Sequence, residues 1–459
     1  MSSFWVIFAG TILGTGLATL ILLFLFIYKF RQSVFTVLKK SASIEMITLL
    51  NKLTWRDYFE SNLRAETGKP LKRPFGSNVH FFRWDQFQFN PVYLSHKPLS
   101  SNVSIKTEVV IGPQAKKPLI LKVPILVSAM AYGNALSFKA KMALAKASTL
   151  TGTADNTGGG PLVEEARAIA AKYIIQFQRG FWSRSEKILK SADMIEITLG
   201  HGAWDSAPVR ISGREITDGF ARRLETIPGL DVILESRLPE VENLADWKNL
   251  VLKLKEVTGG VPIAVKLGGT HYIEQELDFI TQGEIDVIVI DGAEGGTHAC
   301  PSILSDDVGL PTLPTLCRTV KYLEGRNLKG KISLVIGGGL STPGDFLKCL
   351  ALGADAVLIG TVACLAMSHT QVSKATPWEP PTGIIYYGAK EEQKFDPDLG
   401  AKHLYNFYES CLQEMQQTVR SLGKINFRDL NKSDLVALDP EYAQMAGVQY
   451  AKNGIVRVE

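Results

Sequence analysis

Hydrophobic positions open this chain as one unbroken block and then change rhythm. From Phe4 to Tyr28 no side chain is charged, and the block closes on Leu20-Ile21-Leu22-Leu23-Phe24-Leu25-Phe26-Ile27-Tyr28. At about 1.5 Å rise per residue, a helix of this length crosses a hydrocarbon core of roughly 30 Å. The start, Met1-Ser2-Ser3, carries no basic side chain, and the apolar run is longer than a cleavable leader needs. An uncleaved transmembrane anchor over residues 1–28 is therefore predicted. Lys29, Arg31, Lys39 and Lys40 follow directly. By the positive-inside rule this single-pass arrangement leaves residues 4–28 in the lipid bilayer and the remainder in the cytoplasm. Residues 29–60 continue with an amphipathic helical pattern, read as a membrane-proximal stalk.

Aromatic and turn-forming residues dominate 74–122, which together with the stalk forms a predicted N-terminal cover (29–122). From Pro124 the pattern becomes short apolar runs, each closed by a glycine-bearing loop and followed by an amphipathic helical stretch such as Ser137–Lys146. Runs that are apolar throughout suit strands buried on both faces of a parallel sheet. Eight of them are expected, near 124–128, 149–154, 173–177, 193–199, 262–267, 286–291, 332–337 and 356–360. Eight such repeats predict an α/β fold, a TIM (β/α)8 barrel over residues 123–364, with a helical extension over 365–459. The stretch from about 200 to 260 exceeds one crossover. Its Asp231-Val232-Ile233-Leu234 run is assigned to an insertion, outside the barrel.

Charge and cysteine usage narrow the classes. Fifty Lys and Arg against 46 Asp and Glu give +4, too small an excess over 459 residues to suggest nucleic acid as a partner. The five cysteines (300, 317, 349, 364 and 411) have no paired spacing, so neither a disulfide framework nor a metal site is expected.

The candidate chemistry sits where strands end. The sixth strand, closing at Asp291, opens into Glu294-Gly295-Gly296-Thr297. The seventh ends in Gly337-Gly338-Gly339, the eighth in Gly360-Thr361. Residues without a Cβ let the backbone approach a ligand closely, and this repeated grammar suits a phosphorylated cofactor at the upper face of the barrel. Ser128-Ala129-Met130 ends the first strand with small residues, leaving room for a flat ring. Asn156, Gln176 and Arg179 follow the second and third strands; Arg179 could meet a phosphate or a substrate carboxylate. Lys266 ends an otherwise apolar strand, and a buried ammonium needs an anionic partner. That partner is either the cofactor, where the lysine would serve catalysis, or a strand-end carboxylate such as Asp291. His201, in a glycine-flanked loop, is a candidate proton donor or a structural histidine.

Taken together these residues resemble the FMN-binding synthase domain of glutamate synthases, in its stand-alone branch, from about Phe81 to Gly360. The carriers are Ser128-Ala129-Met130 with Ala135-Leu136-Ser137, Asp155-Asn156-Thr157-Gly158, Gln176 with Arg179-Gly180, Val265-Lys266-Leu267, Glu294-Gly295-Gly296-Thr297 and Gly338-Gly339-Leu340. The resemblance implies FMN on the C-terminal face of the barrel, with Lys266 near flavin N1 and the seventh- and eighth-strand glycines on the phosphate. It also implies reduction of an imine made from 2-oxoglutarate and ammonia, by hydride transfer from flavin N5, to give glutamate.

The chain departs from the family pattern at several places. The family's three cluster cysteines are replaced by His369, Ala375 and Pro380, so no iron–sulfur cluster is expected. A glutamate is lost in Asn156-Thr157-Gly158-Gly159-Gly160. Thr198, His201 and Trp204 stand where the family has lysine or glutamine, and His298 replaces a glycine. Neither a glutaminase cysteine at the N-terminus nor a dinucleotide-binding glycine motif is evident. Electrons and nitrogen are therefore expected from separate proteins or, for the nitrogen, free ammonia, with a small 2-oxo acid or amino acid as substrate. Two rivals follow: a flavin-loaded, non-catalytic subunit of a membrane complex, and an FMN-dependent 2-hydroxy acid oxidoreductase. The second would need a histidine and an arginine together at a strand end, and Asp291–Pro301 offers His298 alone.

Overall fold

The structure is a computed structural model that describes residues 2–38, 41–71, 75–77, 79, 81–202, 204, 206–297, 301–374 and 381–454. The chain forms two compact units, Met1–Leu71 and Lys72–Glu459. The first is helical: Ser2–Leu38, Ser41–Lys52 and Trp55–Thr67. The last of these is well delimited. Thr54 and Asp57 form a reciprocal capping box at its start, and Gly68, at φ 60°, ends it in the left-handed conformation. Within the first helix Gly14–Ser33 is long and apolar enough to cross a membrane, and its large apolar side chains from Leu17 to Phe30 are exposed.

The second unit is built on eight parallel strands: β1 (Ile125–Val127), β2 (Asp155–Asn156), β3 (Tyr173–Phe177), β4 (Met194–Thr198), β5 (Ile263–Gly268), β6 (Val287–Asp291), β7 (Ser333–Gly337) and β8 (Ala356–Ile359). Hydrogen-bonded neighbours run β1-β8-β7-β6-β5-β4-β3-β2, so the sheet curls through every strand. The ring is nearly closed. Between β1 and β2 no ladder forms, but Thr153 Oγ1 donates to the Ile125 carbonyl at 2.7 Å across the seam. All strand residues are buried, as uninterrupted apolar runs require.

Sequence reasoning misplaced one strand. The expected strand at 149–154 is the last turn of helix Phe138–Thr151 plus its exit. Ser137 caps that helix and Gly152, at φ 78°, ends it, leaving only Asp155–Asn156 to pair with β3. The Asp231–Leu234 run does lie outside the barrel: Val232–Leu234 pairs antiparallel with Val209–Ile211 in a hairpin between β4 and β5.

The two ends of the barrel differ. A hairpin of Val109–Ile111 and Leu119–Leu121 packs its buried side chains against the barrel interior at Leu126, Ile174, Met194, Val287 and Val335. The Gly112 amide donates to Ser333 Oγ at the start of β7. This hairpin floors the N-terminal end. Phe87–Phe89 pairs with Leu435–Ala437, which joins residues before the barrel to the C-terminal region. The long helix Pro397–Ser421 lies along Phe138–Thr151.

Candidate active site

A cavity of about 640 Å³ lies over the C-terminal ends of the strands. Beneath it, polar side chains on adjacent strands form a connected buried layer. Asn156 on β2 donates through Nδ2 to Glu196 Oε1 at 3.2 Å, and Gln176 on β3 donates through Nε2 to the same oxygen at 2.8 Å. On β5, Lys266 places Nζ 3.1 Å from Asp291 Oδ2 on β6. Burial pulls the Lys266 pKa down. The Asp291 and Glu196 carboxylates more than reverse this, so it ends above the ordinary lysine value. Both readings of Lys266 drawn from sequence needed an anion; in the structure that anion is Asp291.

The loops above this layer touch each other. His201, in the loop after β4, exchanges backbone hydrogen bonds with Trp204 at 3.2 and 2.7 Å. A Cβ on Gly202 would lie 1.6 Å from the Gly292 carbonyl oxygen, so glycine is needed for the β4 and β6 loops to meet. Burial, reinforced by the Lys266 charge, depresses the His201 pKa to about 4, so the imidazole is neutral near pH 7. Arg179 is buried and donates through Nη1 to the Ser236 carbonyl at 3.0 Å, while its Nε has no partner.

On the opposite side the glycines form a cradle. Gly338 has φ 109° and Gly339 φ 68°, and a Cβ on Gly338 would fall 2.4 Å from Thr312 Oγ1. Two helices start here. At Pro343–Leu352 the N-terminus is already closed by a capping box of Thr342 and Asp345. At Thr361–Ser368 it begins on Gly360 with no side-chain cap, which leaves its dipole available to an anion.

Of the sequence-predicted residues, Ser128, Ala129, Met130, Gln176, Arg179, His201, Lys266, Glu294, Gly295, Gly296, Thr297, Gly338, Gly339, Gly360 and Thr361 line this one cavity. Two do not. Asn156 is buried below it, its Oδ1 accepting from the Gly158 amide at 2.9 Å and its Nδ2 on Glu196. Gly337 packs inside the barrel, where a Cβ would lie 2.9 Å from Leu358 Cβ. Their sequence-based reading as cofactor contacts therefore finds no support in the cavity lining. Glu294 reaches the cavity, but its Oε2 accepts from the Thr312 amide and hydroxyl, both at 2.7 Å, capping helix Thr312–Gly325. Burial raises its pKa, with those hydrogen bonds opposing. His298, Ala375 and Pro380 lie outside the described residues. Among the described residues no group of three or more His, Cys, Asp or Glu could hold a metal ion.

Sequence reasoning missed several wall residues. Phe75, Phe81 and Trp84 come from the segment before the barrel, and Val209 and Leu234 from the inserted hairpin. No strand-end signal marks them. Gln178 was also missed, although it follows Gln176 by two and strand periodicity puts both on one face. Asn134 lines the cavity as well, and its Oδ1 is buried without a partner.

Comparison with known proteins fits this geometry. The conserved region in glutamate synthase matches residues 86–425. A glutamate synthase large subunit-like protein of Rhizobium meliloti (strain 1021) is 32% identical over 420 residues, covering 87% of this chain and 94% of the relative. The archaeal glutamate synthase [NADPH] of Archaeoglobus fulgidus is 30% identical over 388 residues, 78% of this chain and 75% of that protein. The archaeal-type glutamate synthase [NADPH] of Thermotoga neapolitana is 30% identical, with 70% of this chain covering 62% of it. Among solved structures, an oxidised active mutant of (S)-mandelate dehydrogenase superposes with TM-score 0.50 at 14% identity, over 77% of this chain and 88% of that one, a likeness of fold alone.

Proposed function

We propose, from the premise that this chain belongs to the glutamate synthase family and is an oxidoreductase of that type, that it uses FMN to act on the CH–NH2/C=NH couple. Its reaction class is reductive amination of a 2-oxo acid with ammonia, of which 2-oxoglutarate to glutamate is the family's own case. The observation that carries this reading is the buried Lys266–Asp291 pair below a cavity walled by a glycine cradle.

The residues present fit a flat, phosphate-bearing cofactor on three counts. Small residues at Ser128 and Ala129 leave space across the barrel mouth. The backbone at Gly338-Gly339 and the uncapped helix start at Gly360-Thr361 suit a phosphate. The buried Asn134 Oδ1 on the cavity wall has no protein partner. When bound, FMN would supply the hydride that reduces a C=N bond.

The protein's part is electrostatic and geometric. Lys266 keeps a positive charge at the cavity floor, favouring an electron-rich ring edge above it, and Asp291 fixes where that charge sits. Glu196 holds the Gln176 amide in one orientation, which would leave Oε1 to accept a hydrogen bond from a bound group. Arg179, steadied by the Ser236 carbonyl, offers its guanidinium to an anionic substrate group. His201 is neutral, so any proton it gives comes from imidazole rather than imidazolium. The apolar run of residues 4–28, which overlaps the membrane-competent Gly14–Ser33, would anchor the chain, with Lys29 and Arg31 marking its cytoplasmic end. A separate protein would supply the reductant, and such a protein or free ammonia the nitrogen.

The test is direct. Full-length protein purified in detergent is expected to be yellow, and mass analysis of the released chromophore should return FMN. Dithionite-reduced protein should then be reoxidised by a 2-oxo acid only when ammonia is present. Colourless protein that refuses FMN would sink the reading. Bound FMN that no 2-oxo acid reoxidises would leave a flavin-loaded subunit without this chemistry.

A further inference from the structure

The loop after β3 holds two buried polar side chains, Gln178 and Arg179, that line the cavity. Gln178 is 1% exposed, lines the cavity, and has neither its amide nitrogen nor its amide oxygen paired with protein. Leaving both ends of a buried amide unmet is costly, so a ligand group with both a donor and an acceptor is the natural complement. A Cβ on Gly159 would lie 3.2 Å from Gln178 Oε1 and 3.7 Å from Gln176 Oε1, so the two amides converge there. Gln176 differs in having its nitrogen committed to Glu196.

The neighbouring Arg179 decides the charge of the ligand. Lys266 is paired with Asp291, and Arg83 with Asp85. Among the described residues lining the cavity, Arg179 is the cation without a carboxylate partner. One such cation serves one carboxylate. Part of the cavity wall is apolar: Val209 and Leu234 come from the hairpin, and Trp204, packed against Val209, spends its indole N–H on the Ala207 carbonyl at 2.8 Å.

We propose that Gln178 and Arg179 form the substrate-recognition pair, and that the substrate is a 2-oxo or 2-imino acid with one carboxylate and a side chain ending in a carboxamide. Arg179 takes the carboxylate, Gln178 pairs with the carboxamide, and Trp204, Val209 and Leu234 cover the carbons between. A dicarboxylate would bring a second anion against Gln178 Oε1 with no cation to meet it. This inference rests on the flavoenzyme reading above and refines its substrate.

The experiment uses FMN-loaded full-length protein, with the change in flavin absorbance as the binding signal. The probes are 2-oxoglutarate, its ω-amide 2-oxoglutaramate, and 4-methyl-2-oxopentanoate. The ω-amide is expected to bind at least about tenfold more tightly than the dicarboxylate, because a site built for a hydrogen-bonding group rejects a mismatched one. Gln178→Leu should weaken the ω-amide by about tenfold and the branched acid by less than about twofold. Arg179→Gln should weaken both. Flavin content of each variant reports folding, and Gln178→Glu, nearly the same size, is the second variant should the leucine form not accumulate; it too should lose the ω-amide. Tighter binding of 2-oxoglutarate, or a Gln178 variant with unchanged preference, overturns the substrate assignment and leaves the flavoenzyme reading intact. Protein without FMN overturns both.

Discussion

Lys266 Nζ and Asp291 Oδ2 lie 3.1 Å apart at the ends of adjacent parallel strands, both buried, directly under the cavity. Neither charge is tolerable without the other, yet only the lysine is suited to an electron-rich ligand.

The pair can be separated into structural and electronic parts. Lys266→Met leaves Asp291 buried and unpaired, and a loss of about 3–5 kcal/mol in unfolding free energy is expected. Adding Asp291→Leu should recover most of that stability. The double variant should still bind reduced flavin less well than the wild type, seen as a lower flavin reduction potential. Full recovery of the potential would mean that Lys266 acts only through packing.

His201 gives a pH signature. Its folded pKa of about 4 lies below the ordinary 6.5, so the unfolded chain takes up this proton first as pH falls. His201 therefore removes stability progressively between about pH 6.5 and 4, and none above. His201→Asn should flatten the acid limb of a plot of melting temperature against pH. Turnover by the wild type should show no ionisation near 6.5 that disappears in this variant.

Gly202→Ala tests the contact between the β4 and β6 loops. The added Cβ would fall 1.6 Å from the Gly292 oxygen, which neither backbone can accommodate in place. Destabilisation of at least about 2 kcal/mol is expected from overpacking. Because the loops carry His201 and Glu294, FMN content should fall with it; unchanged content in a destabilised variant would detach the loops from the cofactor site.

Thr312→Val removes a hydroxyl that Glu294 Oε2 uses, at a cost of about 1–3 kcal/mol for the buried carboxylate left short of a donor. Thermal unfolding measures this. Valine keeps the side-chain volume, so a neutral result would place the capping burden on the Thr312 amide alone.

The two compact units allow a truncation. Protein beginning at residue 72 should leave the membrane fraction while keeping full FMN absorbance, since the described residues that line the cavity run from 75 to 386. Full-length protein should resist carbonate extraction. A truncated form that still sediments with membranes would locate attachment elsewhere.

Much of the barrel was legible because strands buried on both faces write themselves as apolar runs ending in glycine. β3 was readable residue for residue, from Tyr173 to Phe177. The β2 strand was not: only Asp155 and Asn156 pair, and the helix before it shares the same alanine and threonine content. Strand-end residues of the site were found by position, but that rule sees neither depth nor neighbours. It could not show that Asn156 braces Glu196 or that Gly337 packs on Leu358, both off the cavity wall. It passed over Phe75, Val209 and Leu234, brought to the cavity by tertiary packing across long stretches of chain. Gln178 was within reach of period-two reasoning from Gln176.

The hairpin of residues 109–121 closes the N-terminal end of a barrel already filled with side chains, and the cavity lies at the opposite end. On the flavoenzyme reading, electron donor and electron acceptor share the open rim and use it at different moments. Traffic of that kind is alternating, and steady-state rates at several reductant concentrations should give parallel double-reciprocal lines rather than intersecting ones.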